Sequence, residues 1–382
     1  MSKPAGNVVA FPSTPDTARS KAASVAARLA VTTASLSSLA VSYGVPFADA
    51  ALMAVNLYGI RSEHDRHRAR VTIRLDQAPT VPWQVIVPLN AVNSPFELRA
   101  DHLYLGRIRV GTVSRIDADE AVGGYFRDGG RAATVNPNAR SRCVGCAFCP
   151  NTLEAAADPR LAEERDLDEL LAALREQHPR NDLSELHEVT VSTGCFDRED
   201  AAVAHLLNLR KALTSHGIGA RIGFLSSVIT SDAAFATLAR AAAPLVLRLT
   251  AECFTRRDLL LKRSKAQLAY AAMPDLLARA GAAGLDTSFT YIVGLDSLPQ
   301  MQAGFTALCQ HITAFPNVQV YQAHNQIMAG LRAHGADRLE FYLAARAALE
   351  PVLARTGLRP VAWENYRPLW HFTFDDTPLV AP

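Results

Sequence analysis

The sequence predicts an α/β protein: a (β/α) barrel, partial or full, preceded by a helical and small β-rich extension. Three observations carry this. In the larger part of the chain, strand-like and helix-like segments alternate with short links, the rhythm of parallel βαβ units with helices outside. That part holds about 250 residues, the usual size of a TIM-like barrel. No glycine fingerprint opens its first helix, which weighs against the rival doubly wound sheet.

The elements follow in chain order. Residues 1–20 are rich in Pro, Ser, Thr and Gly and are expected to be loose. Residues 18–60 are alanine-rich and read as one or two helices, with Tyr43-Gly44-Val45-Pro46 as the break. From Arg68 the period becomes two: 70–75 alternates, 83–89 is β-rich, and 96–116 contains further alternation. The accessory region is therefore drawn as 1–125. The barrel, with a C-terminal helix and an aromatic tail, is drawn as 126–382. Within it, helices are expected at 166–176, 200–215, 233–243, 266–280, 305–314 and 337–355. Strands are expected at 188–192, 220–226, 245–250, 288–293 and 318–322.

Composition limits the function. Of 382 residues, 49% are hydrophobic and 20% charged, enough for a large core and too apolar for global disorder. Lys and Arg number 39 against 37 Asp and Glu, a formal charge of +2, which disfavours a nucleic-acid binder with a broad basic surface. The start lacks a charged segment followed by an apolar one. The uncharged run 29–48 is broken by Ser, Thr, Gly44 and Pro46 and makes a poor membrane span. A cytoplasmic protein with no membrane partner is expected.

Six cysteines are present, three of them in Arg142-Cys143-Val144-Gly145-Cys146-Ala147-Phe148-Cys149-Pro150. Thiolates at C-x2-C-x2-C spacing converge on one small inorganic centre, zinc or iron–sulfur. Structural zinc needs a fourth ligand, yet no His lies between Cys149 and His178 and no fourth Cys lies in the loop. A [4Fe–4S] cluster with one open iron fits three ligands. A zinc knuckle or three incidental core thiols are the bland alternatives.

The triplet follows the strand-like Arg131-Ala132-Ala133-Thr134-Val135 and precedes the βα series. Here the chain resembles the radical S-adenosylmethionine (radical SAM) superfamily, over roughly residues 126–325. The usual spacing there is C-x3-C-x2-C, and the first gap is one residue shorter in this chain. The resemblance implies that Cys143, Cys146 and Cys149 hold a [4Fe–4S] cluster, that SAM chelates its fourth iron, and that Phe148 lies against the adenine. It assigns Ser192-Thr193-Gly194 to a turn that meets the SAM amino group through backbone oxygens. Glu252 would meet the ribose hydroxyls and Arg263 the SAM carboxylate. In Thr290-Tyr291-Ile292-Val293-Gly294, Ile292 would pack on adenine and Gly294 allow a close backbone approach.

Two readings rest on periodicity alone. In 246–252, Arg248, Thr250 and Glu252 share one face and Leu247, Leu249 and Ala251 the other, so a barrel strand here implies a polar cavity. In 318–324, Val318, Val320, Gln322 and His324 share a face, expected to point at substrate, with His324 as acid–base candidate. Plain alternatives are a hydrogen-bonded structural histidine, solvated Lys262 and Arg263, and an ordinary glycine turn at Gly194. Cys195, Cys253 and Cys309 read as small buried hydrophobes, although Cys195 and Cys253 lie near strand ends. The aromatic stretch 363–372 either closes the barrel mouth or packs as a tail.

No cysteine cluster follows residue 325 and no Asp-x-His-x-x-Gly occurs, which disfavours auxiliary-cluster and cobalamin-dependent members. The expected activity is reductive cleavage of SAM to methionine and a 5′-deoxyadenosyl radical that abstracts hydrogen from a small molecule. Rearrangement, elimination, cyclisation and C–C or C–S bond formation all remain open. Such an enzyme needs an electron donor such as a flavodoxin or ferredoxin, and a homodimer is compatible with it. The alternatives are a non-catalytic zinc- or cluster-binding interaction protein and an RNA-modifying radical SAM enzyme.

Overall fold

The computed structural model describes residues 31–64, 68–89, 94–117, 124–139, 144–150, 163–192, 196–361 and 367–379. Two helices come first. In α1 (Thr33–Tyr43) a reciprocal Thr32–Ser35 capping box satisfies the first amides, and Gly44 at φ 63° ends it in the left-handed region. Pro46 then starts α2 (Phe47–Tyr58), which is buried from Ala48 to Tyr58.

Five antiparallel strands follow: β1 (Arg68–Leu75), β2 (Pro82–Pro88), β3 (Phe96–Arg99), β4 (His102–Leu105) and β5 (Ile108–Asp117), in the order β2-β1-β5-β4-β3. Ala69, Val71, Ile73 and Leu75 of β1 and Trp83, Val85 and Val87 of β2 share a core with α1 and α2. Arg70 and Thr72 therefore point to the other face.

The second sheet has seven strands in the order β12-β11-β10-β9-β8-β7-β6. These are β6 (Gly124–Arg127), β7 (Ala132–Val135), β8 (Glu188–Val191), β9 (Arg221–Ser226), β10 (Leu245–Glu252), β11 (Asp286–Val293) and β12 (Asn317–Val320). β6 runs antiparallel to β7, and β7 to β12 run parallel. The sheet curls into a half-barrel, so the barrel is partial. Its helices are α3 (Leu167–Gln177), α4 (Glu199–Ser215), α5 (Asp232–Ala241), the short α6 (Arg257–Leu260) and α7 (Arg263–Ala266), α8 (Met273–Ala282), α9 (Leu298–Leu308), the short α10 (Gln326–Ala329) and α11 (Leu339–Ala354).

Two helices differ from expectation, each for a proline-related reason. The one placed at 266–280 starts at Met273, with Pro274 in the first turn, where its missing N–H costs nothing. The one placed at 305–314 is α9, started by the Ser297–Gln300 capping box with Pro299 beside it.

Leu247, Leu249 and Ala251 pack on the helix side, so Arg248, Thr250 and the start of the Glu252 turn face the lumen, as the period predicts. The same logic corrects the last strand. Val318 and Val320 belong to the helix-side core, and Gln319 and Tyr321 take the inner face. A strand buried on both sides has no polar outer face to set the phase, and β12 ends at Val320, before Gln322 and His324. Gln322 and His324 thus lie beyond the strand whose face they were expected to continue.

One continuous core runs from Leu36 to Phe372, so the boundary drawn at residue 125, which falls inside β6, does not separate two cores. The N-terminal sheet meets both edges of the half-barrel. After β12, the Gln322 amide donates to Ile86 O (2.8 Å) and Asn56 O (3.0 Å). At β6, the Arg70 guanidinium lies 3.8 Å over the Tyr125 ring. On α2, Asp49 pairs with Arg346 of α11 and accepts the His371 N–H (3.0 Å). Burial outweighs Arg346 and pushes Asp49 up to about 6. Trp370 and Phe372 are buried in this core, so the tail packs there rather than over the barrel mouth; residues 362–366 lie outside the described residues. No single helix among the described residues is long and apolar enough to cross a membrane, and the apolar pair α1–α2 is bent by 116°.

His205 on α4 sits between Phe196 and Phe224, at ring distances of 5.2 and 6.3 Å. Burial pushes its imidazole down from 6.5 to about 4. The unfolded chain takes up that proton first. This contribution to stability is whole above pH 6.5 and is lost as pH falls toward 4, at up to about 1.4 kcal/mol per pH unit. Urea unfolding at pH 7 and pH 5 should show a shallower loss for His205→Leu than for the wild type. Equal losses would show that another group carries the acid sensitivity.

Candidate functional site

The cysteine loop leaves the carboxyl end of β7 and docks on the segment that follows β10. Gly145 makes the close approach: its φ is +109°, and a Cβ there would stand 3.0 Å from Lys262 Cβ. Ala147 N–H donates to Leu260 O (2.9 Å), and Cys149 N–H turns back to Cys146 O (3.2 Å). The Lys262 backbone N–H donates to Cys146 Sγ at 3.3 Å, a contact that stabilises negative charge on sulfur.

Cys146 and Phe148 are buried in a small cluster with Cys253, Leu260, Ile292, Leu295, Tyr321 and Met328, and Cys149 packs on its edge. The structure thus brings the loop that carries Cys146, Phe148 and Cys149 against Ile292, distant in sequence, at the carboxyl end of the half-barrel. Cys143, Thr193, Gly194 and Cys195 lie outside the described residues. Ser192 directly follows β8, and its hydroxyl donates to Asn136 Oδ1 at 2.8 Å, tying the ends of β7 and β8.

Glu252 stands in a strained turn. Its φ is 60°, the β10–β11 register shifts between Thr250 and Glu252, and Cys253 N–H donates to Ala251 O at 2.6 Å. A non-glycine residue holds such a conformation only where its surroundings fix it. Asp296 supplies the clamp. Its carboxylate accepts from Phe254 N–H (2.7 Å), Thr255 N–H (3.0 Å), the Tyr291 hydroxyl (2.8 Å) and the Thr255 hydroxyl. From the other side the buried Arg257 guanidinium donates to the carbonyls of Ala251, Cys253 (2.8 Å) and Lys265 (3.0 Å).

The cation beside Glu252 is Lys265, whose Nζ lies 2.8 Å from Oε1, with both side chains mostly buried. Arg263 is exposed on α7. Gly294 is required, with φ +109°, but the space its missing Cβ leaves is taken by the Tyr342 hydroxyl, 2.6 Å from where a Cβ would stand. His324 is partly buried just before α10, which Asn325 caps. Cys253 lies inside the site cluster and Cys309 in the helix-side core; burial pushes both thiols up to about 12, which keeps them protonated.

The thiols fit a thiolate-held inorganic centre. Cys146 and Cys149 meet in one cluster at the lumen's mouth, and an amide donor serves Cys146. Sequence reasoning missed Lys265, Asp296 and Tyr321. Asp296 follows β11 in Gly294-Leu295-Asp296-Ser297, and an acid directly after an apolar strand was the available signal. No protein-family model matches this chain, and no curated protein matches it.

Proposed function

We propose that the chain is a radical SAM enzyme acting on a small molecule. The observation that carries this reading is the convergence of Cys146, Cys149, Phe148 and Ile292 at the carboxyl end of a half-barrel. With Cys143, the two thiolates would hold a [4Fe–4S] cluster. Bound together, cluster and SAM would supply an electron to the sulfonium and yield methionine and a hydrogen-abstracting 5′-deoxyadenosyl radical.

The chain's own residues bind, orient and exclude water. Phe148 and Ile292 offer apolar faces to the adenine. Glu252, fixed by its turn, accepts from the ribose hydroxyls, and Lys265 orients that carboxylate. Arg263 on the rim takes the SAM carboxylate, and the chain around Ser192, Thr193 and Gly194 takes the amino group. Gly294 lets Tyr342 and Tyr321 wall the site. His324 stands beyond β12 to move a proton. An external flavodoxin or ferredoxin supplies the electron. A thiolate-held cluster of this kind suits a reducing, cytoplasmic setting.

Anaerobic reconstitution tests the reading. About four irons and four sulfides per chain, a broad visible absorbance, and 5′-deoxyadenosine formation under dithionite support it. One tightly held zinc without sulfide overturns it. Glu252→Gln should keep its iron and weaken SAM binding about ten- to a hundredfold, the worth of charged hydrogen bonds to two hydroxyls. An unchanged dissociation constant in calorimetry would remove Glu252 from the SAM site.

A further inference from the structure

The N-terminal sheet turns one face toward the half-barrel, and that face carries a buried cation. Arg70 of β1 is 6% exposed. Its guanidinium stacks on Tyr125, which pairs with Thr134 across β6–β7 and therefore shares the inner face with it. Its Nη2 is buried with no hydrogen-bond partner, and among the described residues no carboxylate pairs with it.

The cations deeper in the lumen are served differently. Arg221 and Arg248 both reach Glu188, at 2.8 and 3.0 Å. Above them, on the inner face of the central strands, Thr250 and Thr290 are neighbours in register. Both hydroxyls are buried and unpartnered. Buried polar atoms are nearly always satisfied, and a buried charge is costly unless it is paired. Three unsatisfied groups on three strands around one lumen point to a polar ligand that completes them.

We propose that the lumen, closed by the N-terminal sheet, binds a small molecule through an anionic group, carboxylate or phosphate, held by Arg70. The Thr250 and Thr290 hydroxyls serve its other polar atoms. This gives the N-terminal sheet a role: it covers the open side of the half-barrel and supplies the anion-binding residue. Calling the molecule the substrate rests on the enzyme reading above; anion binding itself does not. A guanidinium presents a planar fork of donors that matches either oxyanion, which makes it the natural holder of such a group.

Calorimetry on the full-length chain without cluster or SAM tests this, with inorganic phosphate and succinate as separate probes. The wild type should bind at least one of them saturably, and the tighter one tells phosphate from carboxylate. Arg70→Met keeps the stem against Tyr125 and should weaken that binding about ten- to a hundredfold. Its thermal midpoint should hold or rise, because an unpaired buried charge has been removed. Arg109→Gln, an exposed arginine of the same sheet paired with Asp76, should bind as the wild type does. No saturable binding of either anion overturns the proposal, as does equal affinity in Arg70→Met. A lowered midpoint with unchanged affinity assigns Arg70 to a structural clamp on Tyr125. Iron content is read separately, so either idea can fail while the other stands.

Discussion

Cys146→Ala and Cys149→Ala should each abolish iron retention after anaerobic reconstitution, and Cys143→Ala should do the same. Three thiolates are the minimum set for a cluster with one open iron, so losing one removes the site rather than weakening it. The fold should survive. Cys146 buries a small side chain in a cluster of nine residues, and its truncation costs on the order of 1 kcal/mol. Cys253→Ala and Cys309→Ala are the informative contrast. Cys253 lies in the same cluster, but its thiol is pushed up to about 12, and the Cys309 thiol is equally protonated on the helix side. Both should keep wild-type iron. The measurement is the iron-to-protein ratio with a thermal melt alongside. Full iron in any of the first three removes that cysteine from the ligand set.

Asp296→Ala should destabilise the chain by about 3–5 kcal/mol in urea unfolding. The carboxylate is 2% exposed and accepts from four donors, two of them backbone amides that have no other way to be satisfied in place. Asp296→Asn should recover only part of the loss. Its nitrogen cannot accept, so either the Thr255 pair or the Phe254 and Tyr291 pair loses its partner. The same variants should weaken SAM binding, because the clamp fixes the turn that aims Glu252. A loss below about 1 kcal/mol would show that water replaces the carboxylate readily.

Much of this was legible in the sequence, for identifiable reasons. The βα rhythm survived because each strand is a short apolar run bounded by polar links. Arg248 and Thr250 were assigned to the lumen because charge on an otherwise apolar strand fixes its phase. The grouping of Phe148 with Ile292 followed from the resemblance alone. The face of β12 was not legible, since valines on a strand buried on both sides carry no phase. Lys265 was missed because the choice between it and Arg263 depends on how two four-residue helices fold back, which periodicity does not reach. The seam at Gln322 and Tyr125 was invisible because it joins segments with no local relation, through one amide and one stacked arginine.

The buried pair of Asp49 and Arg346 joins residues 297 positions apart. Asp49 also takes the amide of His371, and Tyr58 accepts from Leu339 N–H at 3.1 Å, 281 positions away. The helix that anchors the first sheet thus finds its polar partners only 281 to 322 positions further along the sequence. During synthesis α2 emerges early with a nearly all-apolar surface and waits for α11 and the tail before its carboxylate can be neutralised. Such pairings raise contact order, and with it the time a new chain spends with sticky surface uncovered. The architecture ties the emergence of α11 and His371 to the first stable native state, and removing α11 would leave α1 and α2 without their lock.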